Sequence, residues 1–247
     1  MELVVIAAGN GSRFTKAGIQ LPKPLVQYRE KPLFWWATQS ALSSNNFSRI
    51  HFAILRKHVV AEELDKKIKN LYPNAVLHII DEITSGAAET AAIIANKLPI
   101  NTPLAFVDCD VAFSFANKQP FDFLIASNSI AALCVFDSNN PEFSYVLYNE
   151  ENEICGTIEK SVRSKSAICG LYGFKTAQIF LKNYIEYKKN CPYNELFLSG
   201  VFNILLAKKE KVCLIELSNH ISLGTPSDLI NARNIKKMDL PRWYLNK

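Results

Sequence analysis

The chain has 247 residues, 49% of them hydrophobic, with a formal charge of +5 and a pI near 8.8. That length suits one large α/β domain burying roughly three-quarters of its chain surface, and the hydrophobic content supports a full core and argues against a disordered chain. The charge excess is mild and no Lys/Arg block is long enough for a nucleic-acid arm, so no nucleic-acid partner is expected; the excess suits an enzyme that meets an anionic substrate.

In chain order, Leu3 to Ala8 is an apolar run long enough for one buried strand. Gly9, Gly11 and Ser12 follow, small residues that let backbone N–H groups close around an anion, and then Arg13. Lys23 stands between Pro22 and Pro24, which restrict its backbone on both sides. A strand, a glycine loop and two rigidly placed cations make a device for gripping a polyphosphate. Leu33 to Leu42 reads as a helix ending in the turn cluster Ser43-Ser44-Asn45-Asn46, with Phe34, Trp35 and Trp36 as core packing. Ile50–Leu55 and Ala75–Ile80 read as strands around a charged amphipathic helix, Val59–Leu71. Gly86 opens a small-residue helix through Ala95, and Leu104–Val107 is a fourth strand delivering Asp108 and Asp110 at its end. This alternation predicts a parallel sheet with helices on both faces. The ligand should then lie beyond the carboxyl ends of the strands, where Gly9–Arg13 and Asp108–Asp110 both fall.

The second half changes character. Ile130–Phe136, Tyr145–Tyr148, Ala167–Phe174 and Val212–Leu217 read as strands, and Gln178–Lys189, Glu195–Lys208 and Pro226–Arg233 as helices, the last capped by Thr225. Cys109, Cys134, Cys155, Cys169, Cys191 and Cys213 lie far apart with no CxxC, which reads as free thiols in a reducing compartment. His51, His58, His78 and His220 form no metal-spaced pair and are expected in packing or surface roles. Glu2 stands where a signal peptide carries positive charge, and no run approaches a membrane span. A soluble, cytoplasmic protein without a membrane partner is expected.

Three readings compete for the N-terminal device. A dinucleotide fold wants GxGxxG, but Phe14 occupies the third glycine position; a P-loop wants GxxxxGK[ST], which is absent. The third is a nucleotidyltransferase loop. Ala7–Phe14 (AAGNGSRF) followed by Pro22–Val26 (PKPLV) resembles the nucleoside-triphosphate transferases that make activated sugars and related conjugates. Thr84–Thr90 (TSGAAET) resembles the TxGAAxT segment of a cytidylyltransferase-like subgroup associated with capsule and surface-polysaccharide synthesis. Glu159-Lys160 is similar to the pair that holds the acceptor in sugar-phosphate enzymes, Asn194–Phe197 to the NxEFY segment and Leu223–Leu229 to LGTPEDL. The resemblance runs in order from Val4 to Leu229. It implies a Rossmann-like mixed, mainly parallel α/β sheet with a GT-A-type core. The activity it implies is Mg²⁺-dependent (or Mn²⁺-dependent) transfer of a nucleoside monophosphate, CMP favoured, to a small phosphorylated acceptor.

On that reading Arg13, Lys23 and Asp110 are catalytic, and Ala8, Gly9, Asn10, Gly11, Ser12, Arg13, Lys23, Gly86 and Ala87 bind the nucleotide. Gly86 permits close approach at a helix start that carries positive character. Glu159, Lys160 and Glu195 meet the acceptor. Asp110 is the first metal ligand. Asp108, two residues away on what reads as extended strand, points to the same face, and with Ser222 at the usual Asp position either Asp108 or Glu195 serves as the second. Residues 1–128 form the nucleotide half of a single domain, 129–234 the acceptor half and 235–247 a tail that either docks on the domain or makes a homodimer contact. Two departures stand out: Ser222 replaces an Asp common two residues before Gly-Thr, and Glu30 replaces a turn glycine. Two alternatives stay open. One is a glycosyltransferase reading Asp108-Cys109-Asp110 as DxD; the other is a catalytically silent nucleotide-binding regulator.

Overall fold

The computed structural model describes residues 1–117 and 119–245. β1 (Glu2–Ala7) leads through the glycine loop into the short α1 (Ser12–Lys16), then to a small hairpin, β2 (Gln27–Tyr28) and β3 (Lys31–Pro32), and α2 (Leu33–Leu42). β4 (Arg49–Leu55), α3 (Arg56–Glu62), α4 (Leu64–Leu71), β5 (Val76–Ile80), α5 (Ala87–Ala95) and β6 (Leu104–Asp108) complete the N-terminal layer. β7 (Val111–Phe115), α6 (Asp122–Ala126), β8 (Ala131–Asp137), β9 (Ser144–Tyr148), β10 (Ile154–Glu159) and β11 (Ser166–Phe174) follow. α7 (Ala177–Asn190), α8 (Leu198–Ala207), β12 (Val212–Ser222), α9 (Pro226–Arg233) and α10 (Arg242–Leu245) close the chain.

The expected mixed sheet forms, in the order β5-β4-β1-β6-β11-β8-β12-β7. Its N-terminal half is parallel, β1 lying between β4 and β6. β11 then joins β6 and β8 antiparallel, so both halves of the chain share one sheet. β1 is apolar at nearly every position because both its faces are covered. Leu3, Val5 and Ala7 point into the core under α2, and Val4, Ile6 and Ala8 into the core under α5, α7 and α8. The aromatics of α2 are core packing as expected: Phe34 and Trp36 are fully buried and Trp35 nearly so.

Three segments depart from the sequence reading. The helix expected over Val59–Leu71 is two, broken at Glu63 (φ 50°), and the break lets both His58 and the Leu64–Ile68 face reach the interior. The helix expected from Glu195 starts only at Leu198. The Leu196 backbone is committed elsewhere, its N–H donating to Ser85 O (2.8 Å) and its C=O accepting from Ala88 N (2.9 Å). Asp108 and Asp110 do not sit on one extended strand: β6 ends at Asp108 and a turn carries Cys109 and Asp110 into β7. That turn, not strand pleating, brings the two carboxylates together. β7, β10, α1 and α6 had no sequence signal, all being six residues or shorter.

The tail docks on its own domain. Trp243 donates its ring N–H to Phe113 O (2.7 Å) and packs against Trp35 and Trp36, with Tyr244 beside Trp36 at 4.6 Å between centroids. The last two positions of the tail lie outside the described residues.

At the opposite edge of the sheet, His51 Nδ1 lies 2.9 Å from His78 Nε2, and His51 Nε2 is 2.7 Å from Glu2 Oε2. The two histidines are far apart in sequence and meet because β4 and β5 are parallel neighbours. Burial holds the His51 ring below the ordinary imidazole range against the pull of Glu2, and burial with the neighbouring His51 lowers His78 to about 4. His58, buried beside Lys57, is also lowered to about 4. Groups whose native pKa lies below the unfolded value, about 6.5, contribute stability above that value and lose it as pH falls towards the native one. Urea midpoints should therefore fall between pH 7 and pH 4.5, and His78→Gln should flatten that fall. An unchanged slope in the variant would take His78 out of this account.

Candidate functional site

A cavity of about 750 Å³ opens beyond the carboxyl ends of β1 and β6. Ala8, Gly9, Asn10, Gly11, Ser12 and Arg13 form one wall and Gly86 and Ala87 a second. Lys23, Asp108 and Asp110 form the floor, and Lys160 and Glu195 face them from the second half of the chain. The structure thus brings together every site residue expected from sequence except Glu159.

The loop is held from below. Phe14, buried to 1% exposure, anchors α1, while Lys57 Nζ donates to Asn10 Oδ1 (2.5 Å). Arg13 is exposed and makes no ion pair among the described residues, so its guanidinium is free for an anion. Lys23 is fixed differently. It begins a single 3₁₀ turn between two prolines, closed by Leu25 N to Pro22 O (2.8 Å) and Val26 N to Lys23 O (3.1 Å). Its Nζ lies 2.5 Å from Asp110 Oδ2. Burial works against the ammonium most, but Asp110, together with Cys109 and Asp108 beside it, outweighs burial and the lysine pKa is raised.

The two carboxylates sit in hollows that only glycine leaves. A Cβ on Gly224 would stand 2.5 Å from Asp110 Oδ2, and one on Gly170 (φ 85°) 2.6 Å from Asp108 Oδ2. Asp108 is pushed up to about 7 by burial first and by Asp110 second, more than Lys23 offsets, with Glu159 and Glu195 adding to the rise. Two close carboxylates short of positive charge, both oxygen donors, suit Mg²⁺ or Mn²⁺, which needs one or two protein carboxylates and takes its other ligands from water and phosphate. Asp110 and Asp108 are the residues that would hold it. Among the described residues no cluster of three metal-binding side chains exists. Ser222 donates to Asp228 Oδ2 (3.0 Å), and the Asp228 N–H in turn donates to the capping oxygen of α9, Thr225 Oγ1 (3.0 Å).

At Gly86 (φ 150°) the missing side chain makes room for protein. A Cβ would lie 2.5 Å from Leu196 O, so the space read from sequence as approach to a nucleotide is at this position taken by the segment carrying Glu195. The start of α5 is closed further by Ser85 N to Glu89 Oε2 (2.7 Å) and by Thr84 Oγ1, which donates to Gly86 O (3.0 Å) and meets Thr90 Oγ1 at 2.7 Å. Glu159 does not line the cavity. Its carboxylate accepts from Ser144 Oγ (2.7 Å) and Ser199 Oγ, and burial raises its pKa in spite of them. Lys160, next in sequence at φ 51°, is turned onto the cavity wall instead.

Sequence reasoning missed Glu142, Ile83 and Gly224 as lining residues and assigned no role to Asn194 or Phe197. Asn194, Phe197 and Gly224 fall in segments already singled out. Glu142 follows a polar turn and carried no signal, since only the β9–β11 fold-back brings it to the cavity.

The model for the family described as "Nucleotidyl transferase" matches residues 2–237. The chain is 21% identical to the mannose-1-phosphate guanylyltransferase catalytic subunit beta of Drosophila pseudoobscura pseudoobscura, over 98% of this chain and 65% of that one. It thus spans about two-thirds or less of the curated relatives it matches. Its fold is similar to that of a nucleoside-diphosphate-sugar pyrophosphorylase from Vibrio cholerae RC9, with a TM-score of 0.78 at 21% identity, covering 95% of this chain and 100% of that one. It is also similar to the inositol-1-phosphate CTP transferase from T. maritima, with a TM-score of 0.72 at 16% identity, covering 99% and 94%. With the family model spanning nearly the whole chain and the glycine loop, Lys23 and Asp110 converging on one cavity, the chain belongs to the nucleotidyl transferase family.

Proposed function

We propose that the chain transfers a nucleoside monophosphate from a nucleoside triphosphate to the phosphate of a small acceptor, releasing pyrophosphate. An acceptor phosphate oxygen forms a bond to the α-phosphorus, and the α–β bridging P–O bond breaks, its electron pair leaving on pyrophosphate. The observation that carries this reading is Lys23, a cation with a fixed backbone, set against Asp110 in the same cavity as the glycine loop and Arg13. Little covalent chemistry falls to the protein; positioning and charge neutralisation do the work. The loop backbone and Arg13 hold the triphosphate. Lys23 sits where charge builds on the transferring group. Asp110 and Asp108 would hold a divalent ion, which when bound would supply positive charge to the α-phosphate and the leaving pyrophosphate. Lys160 draws the acceptor phosphate towards the triphosphate against the repulsion of two anions, and Glu195 receives the rest of the acceptor.

The acceptor class we favour is a sugar phosphate or a similar small phosphate ester, which the names of the relatives and of the fold neighbours support. A supply of capsule or surface-polysaccharide precursors rests on the Thr84–Thr90 segment alone. CTP is favoured as donor from the Thr84–Thr90 segment, and the T. maritima CTP transferase is a neighbour in keeping with that choice. The family match and the pairing of Arg13 with Lys23, which suit a triphosphate, count against the DxD glycosyltransferase.

Incubation with each triphosphate and a panel of phosphorylated acceptors, followed by pyrophosphate release, tests the reaction. Lys23→Ala should cut turnover about 10²-fold, ~3 kcal/mol of lost charge stabilisation; near-normal turnover at saturating triphosphate removes Lys23 from its role. Calorimetric titration with CTP, UTP, dTTP, ATP and GTP should rank CTP first, and a clear purine preference would refute that choice. Lys160→Ala should raise the acceptor KM with little change in triphosphate binding. An unphosphorylated acceptor used equally well would show that this wall works differently.

A further inference from the structure

We propose that Lys23 also acts as a tethered stopper on the divalent-cation position, so that the metal enters with the triphosphate and not ahead of it. This inference rests on the nucleotidyl-transfer reading of the cavity and concerns the order in which its occupants arrive.

The Lys23 ammonium lies 2.5 Å from Asp110 Oδ2, on the same oxygen that fills the hollow beside Gly224. Neither side chain is more than a fifth exposed, at 19% and 16%. A divalent cation approaching that oxygen meets a positive charge already within hydrogen-bond distance of it, and in so sheltered a place the repulsion is weakly screened. The stopper cannot be withdrawn by backbone movement. Pro22 and Pro24 fix the chain on both sides, and the Leu25 and Val26 N–H groups close the turn around it. Only the side chain can swing.

A lone metal ion would therefore have to expel the ammonium from its carboxylate. The nearest remaining acid, Asp108, is the second ligand the metal itself would use. A triphosphate changes the balance, because its phosphate oxygens offer Lys23 a replacement partner. The ammonium moves from Asp110 to phosphate, and Asp110 becomes free for the metal that the triphosphate carries. Metal and triphosphate affinities are then linked, each raising the other by the same factor. The pairing also keeps the Lys23 ammonium beside the reacting position in both states, so that the chain never exposes two bare carboxylates or an unpaired lysine.

Mn²⁺ titrated into the full-length chain, with free Mn²⁺ followed by electron paramagnetic resonance, tests this without any turnover. In the absence of nucleotide, Lys23→Met and Lys23→Gln should each bind Mn²⁺ at least about tenfold more tightly than wild type, while Lys23→Arg should resemble wild type. Equal affinity in wild type and both neutral variants overturns the proposal. Thermal unfolding of the wild type serves where the neutral variants do not fold. Mg²⁺ alone should leave the midpoint in place, and Mg²⁺ with CTP should raise it. A rise with Mg²⁺ alone overturns the proposal. No Mn²⁺ uptake by any form, together with no shift from Mg²⁺ with any of the five triphosphates, removes the nucleotidyl-transfer reading beneath it.

Discussion

The contact between Lys23 and Asp110 joins two parts of the chain that are remote in sequence, the Pro-Lys-Pro turn after the glycine loop and the turn between β6 and β7. Each is anchored in the sheet independently. β1 carries the loop and β6 the carboxylates, and because the two strands are parallel neighbours their ends open on the same side. The ion pair could not form in a sheet where β1 and β6 ran in opposite directions. The site thus follows from the sheet, and the sheet from buried apolar strands covered on both faces. A sheltered lysine is tolerable only with a carboxylate beside it, and the two carboxylates are tolerable only with that lysine or a metal between them. The three groups are one electrostatic unit.

The opposite wall depends on a second constraint, made by backbone alone. The segment 193–197 lies flat against the start of α5 because Gly86 has no side chain, and two backbone hydrogen bonds lock it there. Glu195 and Asn194 are held facing the cavity by that lock. The start of α5 and the segment 193–197, two walls of the cavity, are therefore one rigid piece, and a change at Gly86 is felt on both.

Much of this was legible in the chain. The alternation of apolar runs revealed the parallel half of the sheet, since a strand buried on both faces must be apolar throughout; helix Leu33–Leu42 and the Thr225 cap of Pro226–Arg233 were read to the residue. The meeting of the glycine loop and Asp110 in one cavity was legible because both follow the carboxyl ends of parallel strands, and Lys23 because two prolines fix its backbone. What escaped depends on contacts between distant segments. Glu159 looked like an acceptor ligand from its pairing with Lys160, but Ser144 and Ser199, from two other elements, hold it behind the wall. The Val59–Leu71 helix read as continuous because its polarity is periodic, whereas the break at Glu63 answers to what lies beneath it. The His51–His78 contact was invisible for the same reason.

Ser222 shows how one departure alters such a unit. Its hydroxyl is neutral and hydrogen-bonds to Asp228, whose own N–H is capped by Thr225. Gly224, two residues on, abuts Asp110. An aspartate at 222 would set a further negative charge against Asp228, in a neighbourhood where Asp108 already resists ionisation. With serine there, one lysine suffices to balance Asp110, and Asp228 keeps its place in the helix cap. The same neutrality leaves Asp110 and Asp108 as the pair that would hold a divalent ion. It is also what allows a single lysine, held by two prolines, to guard that pair.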